Sequence, residues 1–137
     1  MTEKKTMAKL PAGTWVVVAD GTHARLLHNA GDANKLSLKL DRVIDPSHLD
    51  DDGPSGHRPP EESGSARDEA TFAKQLAHFI NAAALKNAFA HLVLVADPRT
   101  LGEMRPQLHQ ETLKRMAGEL NKTLTNASIE DIERELL

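Results

Sequence analysis

At 137 residues, with 17 basic and 20 acidic side chains and a formal net charge of -3, the chain has the size of one domain and can bury an ordinary core. It contains no cysteine, which excludes disulfides and thiolate metal sites and leaves the cytoplasm as the default compartment. The first ten residues lack the apolar run of a secretory signal, and no window reaches the roughly eighteen apolar residues of a membrane span.

Residues 1–13 read as a flexible lead into a single α/β domain over 14–137. Thr14 to Ala19 is a continuous β-branched and apolar run, the pattern of a central strand covered on both faces. Asp20-Gly21 is a two-residue turn signal, and His23 to His28 resumes an extended pattern, so the first two strands are expected to form a hairpin. In Lys35 to Asp41 the leucines at 36, 38 and 40 alternate with polar residues, which predicts a half-exposed third strand.

From Asp45 to Arg67 proline, glycine, serine and acids dominate, predicting a long loop. The stretch 45–69 holds eight acids against Arg58 and Arg67, leaving fifteen bases and twelve acids elsewhere. An acidic insert on a slightly basic body repels nucleic acid from the insert and permits weak contact elsewhere.

Asp68 to Phe89 carries an apolar stripe at helical spacing (Phe72, Leu76, Phe79, Ile80, Ala83). His91 to Ala96 is a second continuous apolar run, expected to lie parallel to the first strand through a right-handed crossover. Asp97-Pro98 opens another helix, and Pro106 restarts it with Leu113, Met116, Ala117 and Leu120 on its apolar face. Asn121 to Thr125 reads as a short edge strand, and Ser128 to Leu137 as a capped terminal helix with Ile129, Ile132 and Leu136 inward. The expected architecture is a mixed five-stranded sheet, a three-stranded meander followed by alternating helices and strands, of ribonuclease-H-like outline.

Candidate site residues follow from this layout. Asp20 and Asp97 should end neighbouring parallel strands, where open α/β sheets bind ligands, and two carboxylates there could begin a metal-dependent nuclease site if a third acid joined them. Both are also accounted for locally, Asp20 by its turn and Asp97 by its helix cap. His23 and Arg25 share a strand face and could hold an anion, with Arg99 near a helix start joining them. His57 and Arg58 lie in the acidic stretch beside Gly56. The histidines and the run Asp50 to Asp52 match no metal-site spacing, so no metal or other cofactor is expected. No serine sits in a Gly-x-Ser-x-Gly elbow, and the P-loop spacing with its lysine is missing. With few aromatics (Trp15, Phe72, Phe79, Phe89) and none interleaved with basic residues, the composition argues against a base-stacking platform.

The ordered set Trp15 to Gly21 with Ala24-Arg25, Phe72-Ala73 with Leu76-Ala77, Leu92 to Ala96 with Pro98-Arg99 and Leu101-Gly102, and Leu124-Thr125 before Ile129-Glu130 resembles the bacterial host attachment protein family from Trp15 onward. That resemblance implies a non-catalytic binding domain engaging a macromolecular partner, protein first. The layout is also similar, more distantly, to the middle domain of archaeal and eukaryotic peptide-chain release factors, whose loop after the third strand carries a Gly-Gly-Gln tip. Here that loop offers Asp52 to Arg58 and the chain contains no Gly-Gly-Gln. This second resemblance implies a ribosome- or RNA-associated protein without the release chemistry.

Overall fold

A computed structural model describes residues 10–46 and 65–137. Its sheet is built from β1 (Trp15–Ala19), β2 (Ala24–Asn29), β3 (Leu38–Ile44), β4 (Leu92–Ala96) and β5 (Met116–Asn121), in the order β3-β2-β1-β4-β5. The first three strands form the antiparallel meander, and β1, β4 and β5 run parallel. The helices are α1 (Ser65–Leu85), α2 (Pro98–Met104), α3 (Gln110–Lys114) and α4 (Ile129–Leu136), with one 3-10 turn at Arg105–Gln107. The fold class, the meander and the place of β4 beside β1 agree with the sequence pattern.

The apolar runs of β1 and β4 are central because both of their faces are covered. Val17, Leu92 and Leu94 turn toward Phe72, Leu76 and Ile80 of α1 and toward Leu101 and Met104 of α2. Val16, Val18, Val93 and Val95 turn the other way and meet Ile132 and Leu136 of α4. Leu10 is buried in this second core and the Gly13 amide donates to the Asn29 carbonyl, so packing begins ahead of the expected first strand.

Several boundaries differ from expectation. The Asp20-Gly21 signal belongs to a four-residue connection: Ala19 pairs with Ala24, and the Asp20 amide donates to the His23 carbonyl. The third strand starts at Leu38 rather than Lys35, since residues 29–37 are folded into a tight turn around the buried Asn29. The Asn29 amide group donates to the Leu10 carbonyl at 2.9 Å, and its oxygen accepts from the Gly31 and Ser37 amides. A Cβ at Gly31 would collide with the Lys35 carbonyl, which fixes glycine there. Within β3, Leu40 faces Leu27 and Arg42 faces Leu26, so Asp41 is an extra bulged residue and the leucine alternation does not continue.

Helix α1 ends earlier than Phe89. Asn87 adopts φ 60°, its amide donates to Ala84 and the Ala88 amide donates back to Ala83, which closes the last turn with a left-handed cap. Finally, Met116 to Leu120 is a strand and not a helix face, and the edge strand ends at Asn121 instead of running from Asn121 to Thr125 as expected. Glycine is a poor helix former, and pairing to β4 makes this segment a strand; a bulge at Ala117 puts Met116 in the α1-side core and Leu120 in the α4-side core, so no single alternation runs through it. The expected loop over 45–67 lies mostly at 47–64, outside the described residues, and from Ser65 the chain is already helix. Among the described residues no helix is long and apolar enough to cross a membrane.

Candidate functional site

Because Ala19 pairs with Ala96, Asp20 and Asp97 do follow adjacent parallel strands. What they do there is local. Asp20 Oδ1 accepts from the Thr22 amide (2.8 Å), the Thr22 hydroxyl (2.9 Å) and the His23 amide (3.0 Å), while Oδ2 accepts from the Thr125 hydroxyl at 2.7 Å. Burial by itself would raise the Asp20 pKa. The donors on Thr22, Thr125 and His23 outweigh it and hold the carboxyl below the usual carboxylate range. Asp97 caps α2, accepting from the Thr100 amide (3.1 Å) and hydroxyl (2.8 Å).

Arg25 points to the α4 side of the sheet, where its Nη1 donates to the carbonyls of Thr125 (3.0 Å) and Ala127 (2.7 Å). Asp20 and Arg25 therefore hold one object from two sides: the segment that leads into α4, with Thr125 only 3% exposed at its centre. His23 Nδ1 lies 3.1 Å from the Thr22 hydroxyl and 3.5 Å from Asp20 Oδ1. Asp20 and Arg25 thus form a tether, while His23 lies before β2 and not on its face with Arg25 as expected, its amide bound to Asp20. Asp97 stays with its helix and Arg99 stands exposed on the first turn of α2. His57 and Arg58 lie outside the described residues. Among the described residues no three histidine or acidic side chains are grouped to hold a metal ion. Thr125 and Ala127 were not readable as partners of Asp20, since nothing local links positions a hundred residues apart.

A second constellation lies at the opposite, outer margin of the α1-covered face. Register puts Lys39, His28 and Trp15 in one cross-strand row on β3, β2 and β1. Trp15 packs on Phe89 (centroids 4.7 Å apart) and stacks with Phe79 of α1 (6.5 Å, 19° between planes). The Arg42 guanidinium covers the Phe79 ring at 4.9 Å from its centroid. The bulge makes this contact, because it places Asp41 and Arg42 on the α1 side, where Asp41 Oδ1 lies 2.8 Å from His28 Nδ1. Residues 15, 42, 79 and 89 are scattered along the sequence, so the premise that no aromatic neighbours a basic residue does not hold in three dimensions. A shallow groove lined by Ala70, Thr71, Lys74, Glu103 and Gln107 has one base and one acid on its walls and shows no preference of charge.

One family model matches this chain over residues 13–136, which takes in every strand and ends within α4. It is described as bacterial archaeo-eukaryotic release factor family 12. No curated protein matches.

Proposed function

We propose, for a chain that belongs to bacterial archaeo-eukaryotic release factor family 12, a ribosome- or RNA-associated role that does not include peptide release by a Gly-Gly-Gln tip. The family match along nearly the whole length carries this reading. It is supported by the meander and mixed sheet, which suit a release-factor-like middle domain, and by the absence of the tripeptide from the sequence. The acidic composition of 45–69 opposes phosphate contact by the segment that carries the tip in release factors, so the slightly basic body is the RNA-facing part. Such a protein works in the cytoplasm, and any effect on attachment to host cells is exerted indirectly, through translation. A protein-binding attachment domain is the competing reading, and it rests on motif resemblance alone.

The test is sedimentation of the tagged protein through sucrose gradients of native lysate at low and high salt. Co-migration with ribosomal particles at low salt and release at high salt is the expected result. Confinement to the light fractions at both salts overturns the proposal. Purified termination complexes incubated with the protein should release no peptide above background.

A further inference from the structure

The cations of this molecule fall into two groups. Arg105, Lys114, Lys122 and Arg134 each pair with a carboxylate, at 2.6 Å, 3.1 Å, 2.7 Å and 2.6 Å. Lys35, Lys39, Arg42, Lys74 and Lys86 are exposed and, among the described residues, make no ion pair. Lys39 and Arg42 border one aromatic stack, and Lys86 lies at the end of the helix that supplies Phe79. Lys39 lies in the row that ends at Trp15, and Arg42 covers Phe79. Lys86 is the first residue past α1, seven positions on from Phe79, and its amide still donates to the Ala82 carbonyl, which keeps it near the Phe79 side of the helix end. The acid within this margin, Asp41, is engaged by His28.

Unneutralised positive charge around a pre-stacked guanidinium is the requirement of a ligand that is both anionic and planar. A guanidinium placed over one ring can offer its other face to a second π-system, and Phe79, which it covers, is itself stacked on Trp15. Single-stranded RNA supplies both partners, a base for the plane and phosphates for the lysines. We propose that the margin between α1 and β3 is a single-stranded RNA contact, with a base stacked on Arg42 and the backbone passing Lys39 and Lys86. This deepens the ribosome- or RNA-associated reading and rests on it. It places the contact on the side of the domain and not on the segment between β3 and α1.

The experiment is fluorescence polarisation with a labelled single-stranded RNA of about ten nucleotides and the full chain at low salt. Arg42→Ala should weaken binding roughly tenfold, the size of one lost base stack. Arg42→Lys should weaken it nearly as much, because it keeps the charge and loses the plane. Lys122→Ala, on the paired side, should leave affinity within about twofold, and all variants should keep the wild-type circular dichroism. Inorganic polyphosphate of matched charge should compete poorly.

Equal affinity of Arg42→Ala and wild type overturns the proposal, as does polyphosphate competing as well as RNA, which would reduce the contact to charge. Preference for phosphatidylserine vesicles over RNA overturns it in favour of a membrane surface. Sedimentation separates the two readings: wild type with ribosomes and Arg42→Ala equally so sinks the surface alone, whereas wild type in the light fractions sinks the family-based function.

Discussion

The carboxyl ends of the strands and the outer margin of the sheet both present charged side chains on short elements, yet they use them differently. At the strand ends every acceptor of Asp20 and the Nη1 donor of Arg25 are directed at the chain itself, tying Thr125 and Ala127 to the β1–β2 hairpin. At the margin, Lys39, Arg42 and Lys86 have no carboxylate partner among the described residues. A place where open α/β sheets usually bind ligands is here a structural clasp, and the surface with bonding capacity to spare lies elsewhere. Polar groups satisfied internally gain nothing from a ligand; those left to water can exchange it for one.

If that contrast is right, the clasp should answer to stability measurements and the margin should not. The largest effect is expected for Asp20→Ala, which strips four donors of their acceptor, two of them on Thr22: a loss of about 3 kcal/mol in denaturant unfolding. A fold left unchanged by this substitution would mean that the carboxylate is kept for something other than the clasp. Arg25→Ala should cost about 2 kcal/mol and speed amide hydrogen exchange in α4 before the central strands, since it frees two carbonyls that hold the segment leading into α4.

Acid should loosen the clasp in the same direction. With its folded pKa below the unfolded value of about 3.9, Asp20 contributes stability that is present above that value and is lost as pH falls through the folded pKa. Asp20→Asn, which cannot titrate, should therefore show a flatter dependence of thermal midpoint on pH below about 4. A parallel pair of curves would remove Asp20 from the account.

At the margin the expected effects are small. Arg42→Ala should cost at most about 1 kcal/mol, the worth of an exposed cation over a ring, and Lys39→Ala less than about 0.5 kcal/mol. A margin variant that destabilised as much as Arg25→Ala would merge the two regions into one structural class.

The legible parts of the molecule are those where one physical signal dominates. The β-branched runs of β1 and β4 have no competing reading, and neither do the Asp97-Pro98 and Ser128 caps, where the side chains accept from the amides of Thr100 and Asp131 as their types dictate. Legibility failed where pairing overrides the local pattern. Met116 to Leu120 carries a helical stripe, yet it pairs with the open edge of β4 as a strand whose bulge at Ala117 breaks any simple alternation. In β3 the leucine pattern was genuine as far as Leu40, and the bulge at Asp41 then turned Arg42 onto Phe79.

Among the candidate site residues, the sequence alone placed Asp20 and Asp97 at adjacent strand ends, because strand order fixes those positions; His23, expected on a strand face with Arg25, lies instead in the connection before β2, beside Asp20. That Arg25 would bind carbonyls a hundred residues away, and that Arg42 would lie on an aromatic stack, was decided by tertiary packing. Local signals record what a residue's own neighbours require of it. Contacts between distant segments depend on register, on a one-residue bulge and on which face each helix covers, and these are settled only when the whole core closes.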